Sequence, residues 1–312
     1  MVISEEVQLL RVLEPQVGQR LDNFLIRRMK GVPKSRIYRL IRRGEVRVNK
    51  KRSKPEQKLV LGDQVRIPPY KGSSSPEPGK PSSDLQKFLL DSILYEDEQL
   101  LVLNKPAGLA VHAGSGIRLG LIEALRQCKP EWTELELAHR LDRATSGCLL
   151  VAKKAKFLKH IQRELKARNV EKNYLALVHG NWPASLVEVD APLQKDAVGE
   201  NERVVRVRES GKPSLTGFSI RQRYSGATLI EAMPKTGRTH QIRVHCQYAG
   251  HGIVGDPKYT TKVAHGDLSE VKNLCLHAWK IKFSVPDSAK FIEVEAPLDS
   301  HLDSLLARLV KS

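Results

Sequence analysis

Acidic side chains and cysteines are both scarce in this chain. Against 52 Lys and Arg there are 35 Asp and Glu, a formal charge of +17 over 312 residues. Such a deficit of acid favours a polyanionic partner, because cations that neutralise phosphates release condensed counterions. The four cysteines, Cys128, Cys148, Cys246 and Cys275, stand singly with no CxxC pair. That spacing argues against a disulfide framework or a zinc site and points to buried thiols in a reducing compartment. No apolar run reaches bilayer length, and neither an aromatic-rich amphipathic helix nor a lipidation signal offers a membrane anchor. The opening MVISEEVQLLRVLEP is acidic and interrupted where an export signal is basic and then apolar, so a cytoplasmic location is expected. The glycine-rich HAGSGIRLG (112–120) has neither Walker nor dinucleotide spacing. His240 and His245 lie five apart, off one helical face and on opposite faces of a strand, which disfavours a metal site.

What is present divides unequally. Hydrophobic residues at 40% with charged residues at 28% describe a folded globular chain. Residues 71–84, KGSSSPEPGKPSSD, offer no apolar side chain to pack and read as a flexible linker. Before it, residues 1–70 hold 17 basic and 7 acidic side chains, so this segment supplies +10 of the +17. In it, RLDNFLIRRM repeats apolar residues on a helical period at Leu21, Phe24, Leu25 and Ile26, and SRIYRLIRRG does so at Ile37, Leu40 and Ile41. Ser35 is the expected N-cap of the second helix and Gly44 its stop. EVRVN and DQVRIP alternate as half-buried strands, with a turn at Leu61-Gly62-Asp63. Arg36, Arg39, Arg42 and Arg43 share much of one helix surface, followed by Lys50 and Lys51, while Glu45 is the sole acid between Lys30 and Lys54. A phosphate-facing patch is expected there.

After the linker, strands (ILYEDEQLLVLNKPAG, GCLLVAKK, KNYLALVHG, FSIRQRY, ATLIEAMP, AWKIKFSVP, KFIEVEAP) mix with one amphipathic helix, AKFLKHIQRELKAR. There is no regular βα alternation. The expected fold is therefore α+β: a large catalytic domain (85–312) with a mixed, mainly antiparallel sheet flanked by helices, beside a small basic α/β domain (1–70).

The segment HRLDRATSG (139–147) sets one carboxylate, Asp142, between Arg140 and Arg143. Alone, an Asp followed by Thr-Ser-Gly makes an ordinary turn or helix cap. Its company changes the balance: NKPAGLAVH precedes it, and KNYLALVHG, TGRTHQIRVH and LCLHA follow in that order. Together these resemble the RluA family of pseudouridine synthases, whose catalytic loop has the form HRLDxxTSG. The run from GQRLDNFL through VPKSRIYRLIRRGEVRVNKK to LGDQVRIP is similar to the S4-type RNA-binding domain. A chain joining the two looks most like the members of that family that act on large-subunit ribosomal RNA.

The resemblance implies an isomerase that detaches uracil from ribose, turns the ring over and rejoins it through carbon five, without metal or cofactor. Asp142 would be the catalytic carboxylate, as nucleophile or as stabiliser of a sugar cation. Arg243, from HQIRVH taken as a strand, would pair with it and keep it ionised. Arg140 would fill the gap left by the everted nucleotide, Tyr174 would stack on the ring, and Ile242 would form the opposite wall. His139 is expected to be a structural donor to the loop, and Lys105, Pro106 and His277 to be scaffold. Two positions depart from the family pattern: Ala144, where many relatives carry an acid, and Thr260 in GDPKYTT, where glycine commonly follows the tyrosine. The expected partner is large-subunit ribosomal RNA, bound by a monomer. A non-catalytic RNA-binding or ribosome-assembly factor is the alternative that the basic segment alone would satisfy.

Overall fold

The structure is a computed structural model describing the chain except residues 1, 5, 30, 73–78, 114–116, 199–201, 261–267, 269, 289 and 312. It divides into two compact units, Met1–Gly79 and Lys80–Ser312. The central part of the expected linker (73–78) lies outside the described residues, as does part of HAGSGIRLG. The ends of that linker are in elements: Tyr70–Gly72 is a strand and Ser83 opens a helix. Gly72 pairs with Val2 despite its composition, and Ser82 Oγ caps the helix by accepting from Leu85 N–H at 3.2 Å.

In the first unit β1 (Val2–Ser4) pairs antiparallel with β5 (Tyr70–Gly72), and β2 (Gln8–Arg11), β4 (Gln64–Ile67) and β3 (Arg47–Val48) form a second sheet in the order β2-β4-β3. Helices α1 (Leu21–Arg28) and α2 (Lys34–Arg43) bury Leu21, Phe24 and Leu25 against Ile37, Leu40 and Ile41 in one core with Val65 and Ile67. The expected Ser35 cap is displaced. Pro33 C=O already accepts from Arg36 and Ile37 N–H at 2.9 and 3.1 Å, so the ladder starts from Pro33 and Ser35 lies inside the first turn. Gly44 does end α2, at φ 73, with Glu45 N–H reaching back to Leu40 C=O at 3.0 Å.

The second unit is built on a ten-stranded sheet. Its elements are α3 (Ser83–Asp91), β6 (Ile93–Glu96), β7 (Leu100–Lys105), α4 (Leu121–Leu125), β8 (Glu136–Leu137), β9 (Ser146–Ala152), α5 (Ala155–Ala167), β10 (Glu171–His179), β11 (Glu188–Asp190), β12 (Leu193–Val198), β13 (Glu202–Val207), β14 (Leu215–Tyr224), β15 (Ala227–Pro234), α6 (Gln241–Tyr248), β16 (Leu276–Ser284), β17 (Phe291–Glu295) and α7 (Ser300–Arg308). The strand order is β11-β14-β15-β10-β16-β9-β7-β6, with β17 on β16, β8 on β9, and β12–β13 a separate hairpin. Among the described residues only β9 and β16 run parallel. The sheet is therefore mixed and mainly antiparallel, as the pattern of strands implies.

β9 is buried along its whole length, each full burial of Leu149, Leu150 or Val151 contributing about 1.5–3 kcal/mol. Gly147, the second residue of β9, lies at φ +104, where a β-carbon would stand 2.2 Å from Ala278 C=O. Only glycine lets β9 approach β16 there, so the Gly of TSG is a packing requirement.

One expectation fails: HQIRVH is not a strand. Residues 241–248 form α6. Gln241 through Cys246 are all buried, so no polar stripe marks a helical face, and Ile242, Val244 and Cys246 imitate an alternation of period two.

Candidate active site

HRLDRATSG is fixed by its neighbours before it reaches the cavity. His139 Nε2 accepts from Leu150 N–H at 3.1 Å, and the ring also hydrogen-bonds the backbone at Arg140, so it holds the loop from both nitrogens. Burial pushes it down to about 4, which keeps it neutral. Asp142 C=O accepts from Thr145 N–H at 3.1 Å, closing a turn. Arg143 C=O accepts from Gly108 N–H at 2.8 Å, and Arg143 Nε donates to Gly108 C=O at 2.8 Å, lacing this turn to KPAG. Lys105 sits beneath both turns, fully buried. Its Nζ donates to the carbonyls of Pro106, Leu109 and Arg143 at 2.7, 2.9 and 3.2 Å. Burial lowers its pKa to about 8, opposed by Asp142. Ser146 Oγ donates to Asp299 Oδ2 at 2.8 Å and lies 2.9 Å from His277 Nδ1, which ties the end of the loop to β16.

These anchors present Asp142 to a cavity of about 550 Å³. Arg140, Tyr174, Ile242 and Arg243 line the same cavity, so the residues selected from the sequence meet in one place. Tyr174 lies on β10 where the ladder to β16 shifts register between Asn173 and Leu175. Its ring packs between two apolar clusters, and burial drives its hydroxyl above the usual phenol range. Arg140 is exposed, Ile242 is buried in the wall, and Arg243 is buried on α6. Lys166, Arg168, Lys172, Lys235 and Arg238 complete a cationic rim in which, among the described residues, Asp142 is the only acid lining the cavity.

Arg243 does not spend its fork on Asp142. Its Nε and Nη2 donate to Asp256 Oδ2 and Oδ1, both at 2.7 Å, in a bidentate pair. Burial works against this charge, but the carboxylates of Asp256 and Asp142 outweigh it and hold the guanidinium above its ordinary range. Nη1 is left facing Asp142 Oδ2 at 3.8 Å, and His240 Nε2 faces the same oxygen at 3.7 Å. Both distances allow electrostatic support without a hydrogen bond. Asp142 Oδ1 accepts no hydrogen bond among the described residues. The result is an ionisable group in a cationic, half-enclosed cavity, with one oxygen steadied and the other open to attack or to stabilise an electrophilic carbon.

The expected RNA-contacting residues of the first unit are all on its surface. Arg39, Arg42, Arg43, Lys50 and Lys51 are exposed and Arg36 is half-buried.

The family model described as RNA pseudouridylate synthase matches residues 99–248, and the S4 domain model matches residues 19–65. A Pasteurella multocida protein, "Ribosomal large subunit pseudouridine synthase C", is 51% identical over 99% of this chain and 95% of its own length. The chain belongs to the RNA pseudouridylate synthase family. The Escherichia coli K12 member bearing the same description is 50% identical, with 98% of each chain covered. Two solved human members of the family, RNA pseudouridylate synthase domain containing 4 and domain containing 1, superpose with TM-scores of 0.60 and 0.59. They are 26% and 30% identical, over 72% and 75% of this chain and 95% and 92% of theirs. Among the described residues no helix is long and apolar enough to cross a membrane.

Sequence reasoning missed the support beneath Arg243. Asp256, in GDPKY, also accepts from the backbone N–H of Lys258 and Tyr259 at 2.9 and 3.2 Å. Gly255 precedes it at φ +73, where a β-carbon would fall 2.0 Å from Asn273 C=O. The departure at Thr260 is local: its hydroxyl donates to Ile253 C=O at 2.7 Å. Ala144 packs, half-buried, against the main apolar core. A lone Asp-Pro in a turn-forming segment was the signal available, and nothing in spacing alone pointed it at an arginine thirteen residues earlier.

Proposed function

We propose that this protein converts uridine to pseudouridine in large-subunit ribosomal RNA, acting in the cytoplasm, with Asp142 as the essential carboxylate. The observation that carries the reading is the open Oδ1 of Asp142 in a cavity whose other charged lining residues are cationic. An everted uridine entering the cavity brings its phosphates to the rim cations and its ring to Tyr174, with Ile242 opposite. Arg140, exposed beside the cavity, takes the place of the extruded nucleotide, since a guanidinium can stack and can bind phosphate. Asp142 then attacks, or stabilises the sugar cation left as the glycosidic bond breaks. Uracil turns over in the pocket and carbon five bonds to the ribose carbon that N1 has left; carbon five then gives up its proton and N1 gains one, so the product is an isomer of the substrate. Arg243, fixed by Asp256, holds a positive charge beside the carboxylate throughout. Residues 1–70 hold the RNA by its phosphates, through Arg36, Arg39, Arg42, Arg43, Lys50 and Lys51. The relatives described as acting on the large ribosomal subunit, about 50% identical over nearly the whole chain, support the choice of RNA.

The test is restoration of pseudouridine. Ribosomal RNA from cells lacking the protein is incubated with it, and pseudouridine is mapped by chemical labelling. Wild type should restore sites in large-subunit RNA, while Asp142→Asn should bind the RNA and convert it at least about a thousandfold more slowly. Equal rates in the two would remove Asp142 from the chemistry. Tight binding with no conversion by wild type would leave a non-catalytic RNA-binding or assembly factor.

A further inference from the structure

Asp142 Oδ2 is approached by two donors, and one of them belongs to no expectation drawn from the sequence. His240 immediately precedes α6 at φ 55, a left-handed conformation that a residue with a β-carbon keeps only when its surroundings hold it. Tyr259 holds it: the phenol oxygen lies 2.6 Å from His240 Nδ1, with the two rings edge to face at 5.4 Å. Tyr259 is in turn fixed from three sides. Val205 N–H of β13 donates to its oxygen at 3.1 Å, its own N–H donates to Asp256 at 3.2 Å, and the Arg243 guanidinium lies 5.0 Å from its ring centre.

The direction of the protons follows from these partners. Val205 N–H occupies one lone pair of the Tyr259 oxygen and leaves the hydroxyl proton free to be given. A carboxylate facing Nε2 favours the imidazole tautomer with its proton there, so Nδ1 is the acceptor of the Tyr259 proton. Burial lowers the pKa of His240, with Arg243 and Lys258 adding to the effect and Asp142 and Asp256 opposing it, so the ring carries this one proton and no charge. A chain of donors thus runs from Val205 N–H through Tyr259 O–H and His240 Nε2–H to the carboxylate.

We propose that Tyr259 is a positioning residue for the uridine-isomerising reaction, which orients His240 so that its Nε2–H and Arg243 Nη1 together steady Asp142 Oδ2 and leave Oδ1 for the substrate. Tyr259 does not touch the RNA in this role; it acts through the imidazole. The proposal rests on the reading of Asp142 given above. The 3.7 Å gap between His240 and Asp142 closes into a hydrogen bond when substrate fills the cavity, as loosely set catalytic contacts do.

The test uses the full chain in excess over an unmodified large-subunit ribosomal RNA transcript, measuring the single-turnover rate and, separately, RNA affinity by filter retention. Tyr259→Phe keeps the ring beneath Arg243 and removes only the hydroxyl; its rate should fall roughly tenfold with affinity unchanged. His240→Phe should fall by a similar factor, while His240→Gln, which keeps one acceptor and one donor, should recover most of the wild-type rate. The double variant Tyr259→Phe/His240→Phe should be no slower than His240→Phe alone, because the two side chains act in series. A Tyr259→Phe rate within about twofold of wild type, or a His240→Gln rate as low as that of His240→Phe, overturns the proposal. So do multiplicative losses in the double variant. An inactive wild type would instead refute the uridine-isomerising reading itself, and this proposal with it.

Discussion

The two units use arginine in opposite ways. On α2, Arg39, Arg42 and Arg43 stand in solvent with no acidic partner among the described residues. On α6, Arg243 is buried and doubly bonded to Asp256. An exposed guanidinium keeps its hydration and its rotamers, so it suits any phosphate backbone and is screened by salt. A buried, forked one has given up both, and its charge stays at one point whatever the ionic strength. Adhesion and chemistry need different cations, and the fold supplies them by burial.

That contrast breaks most readily at its buried end. Asp256→Ala leaves Arg243 buried without its bidentate partner, with only the looser approach to Asp142 remaining, and should cost about 3 kcal/mol of unfolding free energy, read from denaturant midpoints, together with loss of pseudouridine formation. If the second unit kept full stability, Arg243 would not depend on this carboxylate. Gly147→Ala tests the backbone that carries the same site. A β-carbon 2.2 Å from Ala278 C=O should separate β9 from β16 and cost on the order of 3 kcal/mol in thermal or denaturant unfolding.

A smaller effect is expected at His139, whose ring is held neutral by burial down to about pH 4. The unfolded ring takes up a proton below about 6.5, so between 6.5 and 4 the unfolded state binds more protons. Stability should therefore be whole above pH 6.5 and fall by about 1–2 kcal/mol as the pH drops to 5. His139→Gln should flatten that decline in melting curves taken at pH 7 and pH 5; an unchanged slope would assign the acid sensitivity elsewhere. The smallest effect on the fold is expected at the exposed end. Replacing Arg39, Arg42 and Arg43 together with Ala should leave melting unaltered, weaken RNA binding about tenfold near 0.1 M salt, and lower the salt slope by roughly two to three. An unchanged slope would mean that these guanidinium groups touch no phosphate.

The sequence made one side of this contrast plain and hid the other. Exposed cations need only be present, and a stretch from Lys30 to Lys54 with Glu45 as its one acid announces them. Asp142, Arg140, Tyr174, Ile242 and Arg243 could be named because the resemblance to the family assigns a role to each of those positions. Asp256, His240 and Tyr259 could not be joined to them, since Asp256 reaches Arg243 and Tyr259 reaches His240 across thirteen and nineteen residues, and His240 meets Asp142 from a distant segment, all brought together only by tertiary packing. The α6 segment was misread for a related reason: an element buried on every side has no periodic polar face to betray its geometry. The short strand Gln8–Arg11 escaped notice because four residues at a sheet edge offer too few alternations to stand out. Ser35 lost its capping role to a carbonyl that the proline before it had already placed.

Lys105 gives all three of its ammonium protons to Pro106, Leu109 and Arg143, and the carbonyls that receive them belong to the two turns framing Asp142. Such an amine is a poor target for acylating reagents for as long as those turns stay closed, whatever its intrinsic nucleophilicity. Its slow modification, followed peptide by peptide, would therefore time the breathing of the catalytic loop without any probe being introduced.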